Sequence, residues 1–164
     1  MELWRALQPR LLRYLRVHNG EGFEDIAAET WLQIVRDLPN FIGTADGFRG
    51  WLFTIARHRA IDASRARATR PVIALADVNA GGPAASAPSA ENVAMERLST
   101  DQALSMVATL PAEQAELVAL RVIAGLDVSA VAEMVGKTPG AVRVSVHRGL
   151  RALSRDPRIQ SEVI

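Results

Sequence analysis

The chain has no cysteine in its 164 residues, which excludes disulfides, thiol redox sensing and any cysteine-based zinc site within it. Lysine is almost as scarce. Of the 19 basic residues only Lys137 is not arginine, so positive charge sits on planar guanidinium groups suited to phosphate and guanine. Aromatic residues make up 5%, and Ala, Leu and Val dominate, a balance that favours helices over sheet. No apolar run approaches the roughly 20 residues of a membrane span, and none follows a basic start as in a secretion signal. The expectation is a cytoplasmic protein without direct membrane insertion.

A large charge of one sign is also missing, since the net charge is +1. Its distribution is more informative. Residues 101–138 carry five acids (Asp101, Glu113, Glu116, Asp127, Glu133) against Arg121 and Lys137. Residues 139–158 carry five arginines against Asp156. Such an asymmetry is what a DNA-facing helix on an acidic module produces.

That basic segment belongs to residues 128–153, VSAVAEMVGKTPGAVRVSVHRGLRAL, which read as helix, tight turn and second helix. Val128, Val131, Ala132 and Val135 recur at helical spacing until Gly136-Lys137 breaks the run. Thr138 suits an N-cap, and Pro139 falls where its missing N–H is harmless. Val142, Val146, Leu150 and Leu153 form an apolar stripe, surrounded by Arg143, His147, Arg148, Arg151 and Arg155. A short first helix before a basic second one is how helix-turn-helix proteins place side chains in the major groove. An ordinary helical hairpin with a solvated basic face is the plainer alternative.

The N-terminal residues are helical in pattern. Leu3, Leu7, Leu11, Leu12 and Leu15 mark a first amphipathic helix, interrupted by Pro9 and ended at His18-Asn19-Gly20. Phe23, Ile26, Ala27, Thr30, Trp31, Ile34, Val35 and Leu38 set the stripe of a second, closed by Pro39. Residues 40–47 read as an exposed loop, and 48–67 as a third helix. Residues 79–92, NAGGPAASAPSAEN, have no hydrophobic period and read as a flexible linker. Helices then resume over 95–110 and 111–123. The expected fold is all-α: two small helical domains, 1–68 and 95–158, joined by a flexible linker over 69–94 and followed by a tail over 159–164.

Two further constellations carry weight. Glu24, Asp25, Glu29 and Asp37 lie off the apolar stripe of the second helix, as a solvated acidic face or as a docking surface for a basic helix. In the third helix Phe48, Trp51 and Phe53 alternate with Arg49, Arg57, His58, Arg59, Arg65 and Arg67. Aromatics among arginines suit single-stranded nucleic acid, offering planes for bases and cations for phosphates. The alternative is that the aromatics are core and the arginines merely solvated. His18, His58 and His147 have no metal-ligand spacing. With no nucleophile–base pair, phosphate loop or acid dyad, the chain reads as neither an enzyme nor a cofactor protein, and no small-molecule substrate is expected.

The order of these segments resembles the bacterial RNA polymerase sigma factors of the sigma-70 superfamily, specifically the extracytoplasmic-function (ECF) group. PRLLRYLR looks like that group's first helix, and FEDIAAETWLQIVRDLPNF like its acidic segment. FRGWLFTIARHRAIDASR is similar to the segment that melts and reads the −10 element. LPAEQAELVALRVIAGLDVSAVAEMVGKTPGAVRVSVHRGLRAL is similar to the −35-reading domain. The resemblance implies sigma region 2-like and region 4-like domains that bind core RNA polymerase (β′ coiled coil and β subunit) and promoter DNA. It also implies an anti-sigma factor. Glu24, Asp25 and Glu29 would dock on the β′ coiled coil. Asn40, Phe41, Thr44, Asp46, Trp51, Arg57, His58 and Arg65 would meet the −10 strand. Thr138, Ala141, Arg143, Val144, Ser145, His147, Arg148 and Arg151 would meet the −35 duplex.

The chain departs from the group's pattern at three places, the first being its start almost at the first helix, where a short preceding segment is usual. Ala28 stands where a glutamine is usual, and Val144-Ser145 replace a common Ser-Arg pair, which removes one cation from the groove face. A free-standing helix-turn-helix regulator leaves the aromatic–arginine helix unexplained. A helical adaptor that binds only proteins leaves the basic C-terminal segment unexplained.

Overall fold

The computed structural model describes residues 2–70 and 90–160, with side chains described outside 90–98. Most of the linker expected over 69–94, and the end of the 159–164 tail, lie outside these residues. Helix already begins at Ala90, before the expected residue 95.

The first helix, α1 (Glu2–Asn19), buries Leu7, Leu11, Tyr14 and Leu15 at steps of four, three and one, a single face of a 3.6-residue period. Leu3, expected on that stripe, is 46% exposed, as is the whole first turn over residues 2–6. Pro9 falls on the solvent side. Gly20 and Gly22, at φ 48° and 74°, turn the chain sharply into α2 (Phe23–Asp37). The Arg67 guanidinium braces this corner, donating to the Asn19 carbonyl at 2.7 Å and to the carbonyl of Glu21.

The buried face of α2 is narrower than its periodicity suggests. Ile26, Ala27, Thr30 and Ile34 are buried, whereas Val35 and Leu38 are 67% and 49% exposed. The buried Thr30 hydroxyl satisfies itself by donating to the Ile26 carbonyl at 2.7 Å. A 3₁₀ turn at Leu38–Asn40 carries Pro39, and Thr44 then caps α3 (Ala45–Thr69), its hydroxyl accepting from the Gly47 N–H at 3.2 Å. The loop is therefore shorter than the expected 40–47. An N-cap threonine starts the helix despite the aspartate and glycine that follow it.

In the second module, α4 (Ala90–Ala108) and α5 (Ala112–Val118) precede α6 (Val128–Val135), α7 (Pro139–Ser154) and a short α8 (Pro157–Gln160). The uninterrupted helix expected over 111–123 instead ends in a π turn at Ala119–Ile123, where the Ala124 N–H reaches the Ala119 carbonyl at 2.9 Å. Leu117, Val118, Ala119 and Leu120 are all buried in succession, so this segment is surrounded rather than laid on a surface. Gly125, at φ 72°, follows the π turn.

The modules share a core. Leu7, Leu11, Leu15, Leu52 and Phe53 from the first form one continuous cluster with Leu117, Leu120, Leu126, Val131 and Val142 from the second. Each fully buried leucine contributes about 1.5–3 kcal/mol. Val17 of α1 also packs against Val107, Ala115 and Val118. The modules thus lie folded together, a choice that sequence leaves open.

Candidate nucleic-acid interface

The helix-turn-helix is built by caps. Asp127 accepts from the Ala130 N–H at 2.7 Å and starts α6, which stops at Gly136 in the left-handed region (φ 69°). After Lys137, the Thr138 hydroxyl accepts from the Ala141 N–H at 3.2 Å and Pro139 opens α7. The seam of α7 is corrected in one position: Leu150 is 43% exposed, and Gly149 is buried in its place. Two turns beyond Val142 the inward position is 149, where a Cβ would meet the Val118 side chain at 2.8 Å. Only glycine lets α5 approach so closely. Val146 and Leu153 are half-buried beside it.

Outside that seam, Thr138, Ala141, Arg143, Val144, His147, Arg148 and Arg151 are all exposed. Val144 is 50% exposed, an apolar side chain among guanidinium groups. Ser145 alone of the −35 candidates is half-buried. This face holds no acidic residue.

The −10 candidates are more heterogeneous. Asn40, Thr44 and Asp46 are exposed at the start of α3, although the Thr44 hydroxyl is committed to its cap. Asp46 approaches Arg49 at 3.8 Å. Phe41 lies nearly parallel on Trp51, with centroids 4.8 Å apart and 13° between planes, and meets Phe48 edge-on at 5.5 Å. One face of the Trp51 indole is therefore already stacked. Phe48 and Phe53 belong to the core. His58 and Arg65 are exposed. Arg57 is not: its Nε lies 2.5 Å from Glu116 of α5, with side chains 19% and 24% exposed.

Between the modules lies a cleft of about 490 Å³ lined by Tyr14, His18, Arg57, Arg65, Glu116 and Lys137, among others. Burial pushes the Tyr14 hydroxyl pKa well up, with Glu116 adding to the effect. Burial also lowers the His18 pKa, opposed by Glu116 and reinforced by Arg57. The His18 Nε2 is buried without a hydrogen-bond partner.

The acids expected to dock on polymerase lie on the first turns of α2. Glu24 and Asp25 are exposed, and Glu29 is paired with Arg59 of α3 at 2.9 Å. Arg59 also grips the Gln33 side chain through Nε and Nη2, at 3.1 and 2.9 Å. Leu32 and Val35 are 65% and 67% exposed on the same helix.

The sequence reading missed the residues that join the modules: Arg16 to Asp101 at 2.6 Å, Arg57 to Glu116, and Arg49 to the Gly125 carbonyl at 3.4 Å. Their signal was the surplus of acid in residues 101–138 facing the arginines of α1 and α3. Among the described residues no cluster of His, Asp or Glu is placed to hold a metal, and no helix is long and apolar enough to cross a membrane.

Comparison with known proteins matches residues 3–70 to Sigma-70 region 2 and residues 94–153 to Sigma-70 region 4. The chain is 32% identical over 158 residues to the ECF RNA polymerase sigma factor SigD of Mycobacterium tuberculosis, covering 93% of this chain and 74% of that protein. It is 35% identical over 166 residues to ShbA of Streptomyces griseus, another ECF RNA polymerase sigma factor, covering 93% and 84%. Among solved structures, it resembles RpoE bound to the anti-sigma factor NepR from Bartonella quintana, with TM-score 0.64, 18% identity and coverage of 93% and 92%. It also resembles CnrH bound to the cytosolic domain of CnrY, with TM-score 0.61, 20% identity and coverage of 93% and 83%. At those identities the likeness is one of fold.

Proposed function

The chain belongs to the ECF RNA polymerase sigma factors, and from that premise we propose how its two modules divide the work of promoter recognition. As a sigma factor it is a transcription initiation factor: it joins core RNA polymerase and directs initiation at chosen promoters. We assign it no catalysis of its own, and a cytoplasmic place beside the polymerase.

The first module, over 1–68, docks on core polymerase through Glu24, Asp25 and Glu29 beside the exposed Leu32 and Val35. Acid rimming an apolar strip fits a basic amphipathic helix such as one strand of the β′ coiled coil. Asn40, Phe41, Thr44 and Asp46 form the loop side of the −10 pocket. Trp51, Arg57, His58 and Arg65 line the strand's path, offering ring and guanidinium surfaces to unstacked bases and phosphates. Extruding a base costs a few kcal/mol, which such contacts offset.

The second module, over 95–158, reads the −35 duplex. The observation that carries this reading is the exposed face of α7, with Arg143, Val144, His147, Arg148 and Arg151 above the Val142–Gly149 seam. Arg148 and Arg151 take phosphate or guanine, and Val144 takes a thymine methyl. Thr138 and Ala141 flank them at the start of the helix, and Ser145 lies beside Val144. The linker over 69–94 spans the two, and the tail over 159–164 has no assigned role. One structural relative is bound by an anti-sigma factor and another by the cytosolic domain of CnrY, and we infer an anti-sigma partner for this chain.

Binding to core polymerase, followed by co-purification, tests the docking half. Reversing Glu24 and Asp25 to arginine weakens it by about tenfold or more if like charges then face the coiled coil. Undiminished binding removes those residues from the interface. For the reading helix, Val144→Ala shifts −35 preference by about 1 kcal/mol, and unchanged promoter selectivity removes Val144 from base contact.

A further inference from the structure

The cleft between the modules holds polar groups that promoter reading does not use. Tyr14 and His18 of α1 and Ser64 of α3 line one wall, and Val135 and Lys137, where α6 runs into the turn, line the other. At about 490 Å³ it has the size of a small-molecule site, and such sites form preferentially where domains meet. Burial moves the Tyr14 hydroxyl pKa up and the His18 pKa down, and displaced titratable groups gather in binding clefts. The His18 Nε2 is buried there with no hydrogen-bond partner.

The charges on the walls select the kind of ligand. Glu116 is matched by Arg57 at 2.5 Å, and Glu113 by Lys137 at 2.9 Å. Arg65 is left over: it is exposed, and its guanidinium has no acid partner among the described residues. A planar guanidinium holds a carboxylate or a phosphate through two parallel hydrogen bonds. Ser64 is its neighbour on α3. The Ser64 hydroxyl oxygen accepts from Asn19 Nδ2 at 3.4 Å, which leaves its proton to donate. Ala60, Ile61 and Val135 supply apolar surface in the same cleft.

We propose that this cleft is a binding site for a small organic anion, an apolar body bearing one phosphate or carboxylate group. Arg65 and Ser64 hold the oxyanion, and Lys137 faces it from the second module with donors that Glu113 does not use. The apolar body lies on Ala60, Ile61 and Val135. Because both modules supply the walls, a bound anion stabilises the folded chain by mass action. It also withholds Arg65 from the −10 strand. That consequence rests on the proposed function, whereas the site itself does not.

The chain has three histidines, and they fall one to each surface: His18 in the cleft, His58 exposed on α3 and His147 exposed on α7. Their imidazole resonances therefore report where an anion settles. Phenyl phosphate, benzoate, inorganic phosphate and uncharged phenol are titrated into the full chain at constant pH and ionic strength, with His18→Gln assigning the cleft signal. The expected result is a saturable shift of His18 with phenyl phosphate or benzoate, and none with phenol. The better of these two binds about fivefold or more tighter than inorganic phosphate, and which one it is tells a phosphate ligand from a carboxylate. Arg65→Gln weakens that binding about tenfold or more. Arg36→Gln, which removes the same charge from the exposed face of α2, leaves it unchanged.

No shift of His18 with either aromatic anion overturns the site, as do shifts confined to His58 and His147, which place the anion on the DNA-facing arginines. Equal affinity for phenol or for inorganic phosphate overturns the ligand class. Parent-like binding by Arg65→Gln overturns the assigned contact. Promoter-specific initiation by the same preparation separates each of these outcomes from a failure of the promoter reading.

Discussion

The two helices proposed to read DNA, α3 and α7, are both rich in arginine but sit in opposite surroundings. α3 is packed by α1 and α2 and met by α5 at the Arg57–Glu116 pair, and several of its arginines are engaged within the molecule: Arg57 with Glu116, Arg59 with Glu29 and Gln33, Arg67 with backbone carbonyls. α7 lies at the edge, buried along Val142 and Gly149 only, and presents Arg143, Arg148 and Arg151 to solvent. Residue type says what a side chain can bind. Packing decides whether it is available to bind it. In this conformation the proposed −35 face is open, whereas on the proposed −10 face Arg57 is paired with Glu116 and one side of Trp51 is stacked on Phe41.

Five perturbations sharpen or break that contrast, the largest in the core. Leu52, fully buried on α3, should cost about 2–5 kcal/mol when replaced by alanine. Because the core is continuous across the modules, chemical denaturation should show one transition moved for the whole chain. Two transitions, with only one displaced, would mean that the modules are energetically separate. Next is Arg148→Ala on the open helix, which should weaken −35 duplex binding by about 1–3 kcal/mol while leaving folding unchanged. Equal binding to the parent's preferred −35 sequence and to a scrambled one, before and after, would deny α7 its reading role.

A smaller effect is expected from Thr138→Ala, which removes the N-cap of α7 and should cost about 1 kcal/mol of stability. Thr44 caps α3, and the same change there should cost about the same. A much larger loss at Thr44 would show that loop residues 41–44 carry structure beyond the cap. The smallest is set by His18, whose pKa burial holds below its ordinary value, with Glu116 opposing and Arg57 adding. The folded chain therefore binds this proton less readily than the unfolded chain. Stability should fall as pH drops through about 6.5. Thermal unfolding of His18→Gln should show a flatter pH dependence there, and an unchanged slope would place the titration elsewhere.

Much of this was legible in sequence because helices announce themselves through period and caps. Residues 128–153 carry both, with Gly136, Thr138 and Pro139 marking the turn between two periodic stripes. Finer placement was less legible. Leu150 and Gly149 differ by one residue, a turn of about 100°, and choosing between them required knowing that α5 approaches at Gly149. Val35 and Leu38 extend a valid stripe past the point where partners exist to cover it. The π turn at Ala119–Ile123 has no compositional mark. The module interface was hidden for another reason: an ion pair such as Arg57–Glu116 joins residues far apart in the chain, and nothing local pairs one arginine with one acid.

The central claim is that the two modules together direct RNA polymerase to promoters, each reading one element. Run-off transcription by core polymerase on a promoter library, with the chain added, tests it most directly. The account predicts discrete initiation sites that are lost when either the −10 or the −35 element is scrambled. Absence of promoter-specific initiation with any core enzyme would contradict it.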